Sequence, residues 1–129
     1  VKKGTLLIPS GTPDDPDKRH LFVVLNDPAP DTGCVLLASF STYRTDIYCD
    51  GTCVIEEGES GHTFLRVKSF VRYQKLRFSS EAQIQAGISS GTFDEREALS
   101  DELFERVRQG VFDSPFSAKK FKKFLARHS

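Results

Sequence analysis

Asp17-Lys18-Arg19-His20-Leu21-Phe22-Val23-Val24-Leu25-Asn26-Asp27 is the stretch whose reading decides the fold. Its middle, Leu21 to Leu25, is an unbroken run of aliphatic, aromatic and β-branched residues. It is too short for a helix and has no polar alternation, so it predicts a strand buried on both faces. On its N-terminal side, Ser10 to Asp17 (SGTPDDPD) carries a glycine and two prolines, which forbids a helix or a central strand and predicts a loop. Before that loop, Gly4 to Pro9 (GTLLIP) predicts a first strand. On the C-terminal side, Asn26 to Gly33 (NDPAPDTG) is again turn-forming, and Cys34 to Phe40 (CVLLASF) predicts the next strand. Thr52 to Ile55 predicts a fourth. Phe64 to Tyr73 predicts one or two more, with a break near Lys68-Ser69.

The period then changes. Glu81 to Ala86 predicts a short helix, capped by Ser80 and stopped by Gly87. Ser100 predicts the cap of a longer helix, with Asp101 and Glu102 in its electropositive first turn. Leu103, Val107 and Val111 form its apolar stripe, and Gly110 lies near its expected end. Ser114-Pro115 predicts the start of a last helix, with proline at the one position that tolerates it. Phe121, Phe124 and Leu125 make that helix's apolar face. These elements amount to an α+β fold, mainly β, of about five to seven strands with C-terminal helices. At 129 residues the chain suits one domain, 1–129, in which 113–129 is a basic helical extension. Phe22, Phe40 and Phe70 in the strands, and Phe121 and Phe124 in the helix, are expected to pack the core rather than stack on bases.

Composition narrows the class. No apolar run approaches the roughly 20 residues that span a bilayer, so no membrane partner is expected. Three cysteines, an odd number, and no secretory leader point to a reducing, cytoplasmic setting. Cys49, Cys53 and His62 are types that zinc uses, but the second ligand pair of a structural site is missing, so neither metal nor cofactor is expected. The formal charge of zero hides a division. Residues 1–80 are balanced, 81–115 are acidic by five, and 116–129 are basic by five. The basic tail is expected to pack against Asp101, Glu102 and Glu105, so that its deletion lowers stability.

One constellation carries chemistry. The polar loop delivers Arg19 and His20 at the start of the second strand, and the third strand ends in Ser41-Thr42-Tyr43-Arg44. Cleavage of RNA without metal needs these residue types. The ribose 2′-hydroxyl is the nucleophile, a guanidinium binds the phosphate and the charge that grows on it, an imidazole moves protons, and a hydroxyl bonds a phosphate oxygen. Arg44, Arg72 and Lys75 are further candidates for RNA contact. The same residues would also serve a binding module without catalysis.

The order of these features resembles the MazF/PemK/Kid-type toxins of bacterial toxin–antitoxin systems, which share an SH3-like β-barrel with CcdB-type toxins. Lys3-Gly4-Thr5-Leu6-Leu7-Ile8 is similar to the opening strand of that family. Lys18 to Asp27 is similar to its basic second strand, and Val35 to Thr42 to its third, which ends in Thr or Ser. Ser69-Phe70-Val71-Arg72-Tyr73-Gln74-Lys75-Leu76 is similar to a later strand with an arginine and a following lysine. Leu99 to Leu103 is similar to the start of its C-terminal helix. The resemblance spans about residues 3–112. His20 stands where the family has proline, and Thr5 where it has an acidic residue. The resemblance implies a small SH3-like barrel and a homodimeric, metal-independent endoribonuclease that cuts single-stranded RNA and is neutralised by an antitoxin protein. By position it implies Arg19 as the catalytic arginine, Ser41 or the adjacent Thr42 as the catalytic hydroxyl, and His20 as a substitute proton-transfer group.

Overall fold

The computed structural model describes residues 2–10 and 18–128. From residue 11 on, the loop read at Ser10 to Asp17 lies outside the described residues. Seven strands form one antiparallel sheet: β1 (Thr5–Pro9), β2 (Arg19–Val24), β3 (Cys34–Thr42), β4 (Val54–Ile55), β5 (Ser69–Val71), β6 (Arg77–Ser80) and β7 (Asp94–Arg96). Three helices accompany them: α1 (Glu81–Ser89), α2 (Asp101–Asp113) and α3 (Lys119–His128). The α+β class read from the sequence is the class observed.

The nine-residue β3 is the hub of a partly open, barrel-like sheet. One of its edges pairs with β2 over Leu37 to Ser39. Its other edge pairs first with β6, Cys34 to Leu37, and then with β5, Phe40 to Thr42. Between β5 and β6 the chain makes one 3₁₀ turn, Tyr73–Lys75. The order along the sheet is β4-β5-β3-β2-β1-β7.

Both faces of the sheet are covered, which accounts for the unalternating run of Leu21 to Leu25. Leu21, Val23 and Leu25 face a core shared with Leu36, Ala38, Phe40 and the helix residues Leu103, Phe104, Val107, Val111, Phe121 and Leu125. Phe22 and Val24 point the other way, into a second core with Leu6, Ile8, Val35, Leu37 and Ile84 of α1. Successive side chains of a strand therefore meet different helices.

Several local expectations are corrected. Phe64 to Lys68 is not a strand, and only Ser69–Val71 pairs. β6 and β7 (RFSS and DER) are polar and largely exposed, so no apolar pattern marks them. α1 runs through Gly87 to Ser89. Gly87 is there for space, because a Cβ would collide with the Phe93 ring. α2 ends at Asp113, so Gly110 does lie near its end, as expected. The last helix begins at Lys119, not Pro115, because the Ser114 hydroxyl is bound to Asp50 (2.7 Å) and a turn follows. The two serine caps hold, Ser80 accepting from the Gln83 N–H and Ser100 from the Leu103 N–H.

α3 is integral to the main core, where Leu125 is fully buried and Phe121 nearly so. Its cations do not pair with the acidic start of α2. Asp101 pairs with Lys3 and Glu105 with Arg108, and among the described residues no ion pair reaches the lysines of α3. The tail is held by its apolar face. Lys119→Gln and Lys123→Gln are therefore each expected to shift stability by no more than about 0.5 kcal/mol, read from urea midpoints at low salt. A loss of several kcal/mol would restore the electrostatic account. Among the described residues no helix is long and apolar enough to cross a membrane.

Candidate functional site

The site arises where two strands part. β2 and β3 are paired as far as Phe22 and Ser39. Beyond that point β2 stays with β1, Arg19 opposite Pro9 and His20 opposite Ile8, while β3 turns away with β5. Continued two and three residues further, the register would set His20 opposite Ser41 and Arg19 opposite Thr42. The opening between the two strands is a cleft of about 220 Å³. Arg19, His20, Ser41, Thr42 and Arg44 line it, with Phe40, Phe64 and Leu65 as its apolar part. A second cleft of similar volume adjoins it and shares Ser41 and Ile47. Arg72, Lys75, Tyr48, Phe116 and the buried Asp50 line that one. All seven residues singled out in the sequence thus lie around two neighbouring clefts.

Their surroundings differ. The His20 Nδ1 is 2.6 Å from the Ser10 hydroxyl. Burial, with the positive charges of Arg72 and Lys18, pulls its imidazole down to about 4, so it is neutral at pH 7. Arg72 is half-buried. Its Nε donates to the Ser39 hydroxyl (3.0 Å) and its backbone N–H to the Ser39 carbonyl (2.9 Å). Burial and the nearby Arg77 lower its affinity for a proton. Arg77 lies with its guanidinium carbon 4.5 Å from the centre of the Phe22 ring. No carboxylate of the described residues forms an ion pair with Arg19, Arg72, Lys75 or Arg77. Arg44 is different: Asp46 takes its guanidinium through two bonds of 3.0 and 2.5 Å. It borders the cleft with its charge already matched.

Sequence reasoning missed Arg77, Ser39 and Ser10. Arg77 is five residues from Arg72 along the chain, but it sits on the polar β6, which nothing in the sequence marks as a strand. Ser39 reads as an ordinary position within β3, and only the 3₁₀ turn after β5 brings Arg72 onto it. The cysteines and His62 form no common cluster among the described residues. Both His62 ring nitrogens are engaged, Nδ1 accepting from the Phe64 N–H (3.0 Å) and Nε2 facing the Glu97 carbonyl (3.0 Å) and the Thr5 hydroxyl (3.1 Å).

Chemically, the clefts bring together Arg19, Arg72 and Lys75, which pair with no described carboxylate, the neutral His20 imidazole and the Ser41 and Thr42 hydroxyls. This is an α+β domain with a cleft lined by basic and hydroxyl side chains where β2 and β3 part. Comparison with protein-family models, curated proteins and solved structures finds no match.

Proposed function

We propose that the protein is a metal-independent endoribonuclease of the toxin type, acting on single-stranded RNA. One observation carries this reading. Arg19, His20, Ser41 and Thr42, from two separate strand ends, line one cleft that continues to Arg72 and Lys75, and no described carboxylate pairs with Arg19, Arg72 or Lys75. Half-buried Arg72 with exposed Arg19 and Lys75 gives a local excess of positive charge that a bound anion would relieve.

The chemistry follows from the substrate. RNA brings its own nucleophile, so a new bond forms from the ribose 2′-oxygen to phosphorus while the bond from phosphorus to the 5′-oxygen breaks. The products are a 2′,3′-cyclic phosphate and a 5′-hydroxyl. Arg19 and Arg72 bind the non-bridging oxygens and stabilise the charge that grows on them. Ser41 or Thr42 donates a hydrogen bond to the same group. Neutral His20 accepts the 2′-hydroxyl proton. A proton from imidazolium or solvent goes to the departing 5′-oxygen, so protons balance. A bound phosphate offsets Arg72 and Lys18 and raises the basicity of His20 when substrate is present.

The pH dependence is specific. His20 acts unprotonated and its value in the free protein is about 4, so kcat/KM is expected to stay level from pH 8 to about 5 and to fall only below that. An acid limb near the ordinary histidine value of about 6.5 would remove His20 as the base. The sign for stability is the same. Between about 6.5 and 4 the unfolded chain binds a proton that folded His20 refuses, so His20 contributes a loss of stability as pH falls through this window.

On this reading the protein acts in the cytoplasm as a homodimer silenced by an antitoxin. Ile47, Phe64 and Val67, about half exposed beside the first cleft, support a protein partner there. The deciding experiment incubates purified protein, free of any antitoxin, with single-stranded RNA in EDTA and maps the new 5′ ends. Cleavage that a single 2′-deoxy substitution blocks is expected. Intact RNA overturns the catalytic reading, and binding without cleavage leaves a nucleic-acid module.

A further inference from the structure

The second cleft contains an aromatic corner that the catalytic reading does not use. Tyr48 is 75% exposed, a large fraction for so big an apolar ring, and Phe116 beside it is 41% exposed. The two rings touch at a centroid distance of 5.7 Å and an angle of 60°. They come from distant segments, the β3–β4 loop and the α2–α3 connection, and a buried relay holds them together. The Ser114 hydroxyl donates to Asp50 Oδ2 (2.7 Å) and accepts from the Phe116 backbone N–H (3.1 Å). Asp50 also accepts from the Thr52 backbone N–H (2.9 Å) and hydroxyl (2.5 Å). Asp50 is two residues after Tyr48 and Ser114 two before Phe116, so the relay ties the two segments that carry the rings. Its carboxylate is occupied by these donors, which leaves Arg72 and Lys75 as the unmatched charges of the cleft.

We infer that Tyr48, supported by Phe116, is a stacking platform for one nucleobase of single-stranded RNA, next to the phosphate held by Arg72 and Lys75. The inference rests on the RNA reading above and adds a base subsite to it. Three observations favour a nucleobase over an apolar peptide segment. The cleft joins the proposed cleavage site through Ser41, so a strand in one continues into the other. Its rim is cationic without acidic partners, as a polyanion requires. Its volume of about 220 Å³ is below the roughly 300–1,000 Å³ of sites for drug-sized ligands and suits one planar ring. Stacking on an exposed tyrosine is tolerant of base identity, because every base has a π-face.

The protein has no tryptophan, so Phe116→Trp introduces a single fluorescent reporter at the corner. The probe is a short single-stranded oligoribonucleotide with 2′-O-methyl riboses, which lacks the nucleophile and stays intact. Saturable quenching of the introduced indole is expected on titration. Tyr48→Ala should weaken binding of this probe by about 5- to 150-fold, the effect of one lost base stack, and Tyr48→Phe should restore most of it. Lys75→Ala should instead reduce the salt dependence by about one counterion, which Tyr48→Ala leaves unchanged. Because Tyr48 is exposed, its replacement leaves the core intact. Absent quenching, or equal affinity of Phe116→Trp with and without Tyr48→Ala, overturns the subsite. So does a Tyr48→Ala effect confined to the sedimentation coefficient, which would make the corner a contact between copies of the chain. The two readings fail separately: tight Tyr48-dependent binding with no RNA cleavage breaks only the catalytic one, and cleavage with Tyr48-independent binding breaks only this one.

Discussion

Gly110→Ala is expected to destabilise the protein by about 2–4 kcal/mol, although the substitution improves helix propensity by about 1 kcal/mol. Gly110 lies in the interior of α2, where alanine is ordinarily the better residue. Here the missing side chain makes room for Tyr73. A Cβ at residue 110 would overlap the Tyr73 hydroxyl oxygen and Cζ, and would lie 2.9 Å from its ring carbon Cε2. Tyr73 is fully buried, so its ring has nowhere to move. Its hydroxyl donates to the Val107 carbonyl at 2.8 Å, one turn before Gly110. Any shift that relieves the clash breaks this bond and strands a buried hydroxyl, at a cost of about 1–3 kcal/mol. Burial also pushes the Tyr73 phenol upward, which keeps it a donor at every ordinary pH. Overpacking adds about 1–3 kcal/mol, and together these outweigh the propensity gain. Chemical denaturation followed by circular dichroism measures the difference. Tyr73→Phe should not rescue Gly110→Ala, because the ring carbons remain in the way. A stabilised Gly110→Ala would mean that α2 does not rest on Tyr73.

The same glycine separates what is legible in the sequence from what is not. Strand runs such as Leu21 to Leu25 and Cys34 to Phe40 are legible because burial on both faces leaves an unbroken apolar signature. Caps at Ser80 and Ser100 are legible because their bonds are local. Gly87 reads as a helix stop and Gly110 as a residue near a helix end, yet each is a close-approach site for a ring outside its helix, Phe93 and Tyr73. That pressure is tertiary and leaves no local mark. β6 and β7 are illegible for a related reason. As short polar strands they pair through the backbone, and backbone pairing is blind to side-chain type. Tail electrostatics mislead in a third way. Opposite charges in two helices suggest a pairing, but Lys3 takes Asp101, Arg108 takes Glu105, and the apolar face of α3 decides its docking. The cleft residues are legible one by one, since arginine, histidine and hydroxyls at strand ends are conspicuous. Their grouping depends on β2 and β3 parting company after Phe22 and Ser39, which is a fact of pairing. Arg77, Ser39 and Ser10 surface only with it.

Arg19→Ala is expected to lower RNA cleavage by about 10²–10³-fold, the loss that follows removal of one preorganised donor to developing charge. Arg19 is the natural residue for this effect. It opens β2, lines the first cleft with His20, Ser41 and Thr42, is exposed to an incoming phosphate, and has no described carboxylate to neutralise it. The loss should fall on kcat more than on KM, because the charge that Arg19 meets is larger in the transition state than in bound RNA. Arg19→Lys should recover only part of the rate, since an ammonium keeps the charge and forfeits the two-pronged geometry. Arg72→Ala provides the contrast. On the proposed reading Arg72 also meets the phosphate, but it is one of the charges that depress His20. Its removal should therefore lower the rate and also move the acid limb of kcat/KM upward, toward the ordinary histidine value. Arg19 is not among those charges, so Arg19→Ala should leave the limb in place. Because Arg19 is exposed and Arg72 half-buried, denaturation midpoints should change little for the first and more for the second, which keeps folding and catalysis distinguishable. Rates for Arg19→Ala within about threefold of wild type, set against the loss expected of a charge-stabilising donor, would remove Arg19 from the chemistry. An identical acid limb in both variants would sever the electrostatic link between Arg72 and His20.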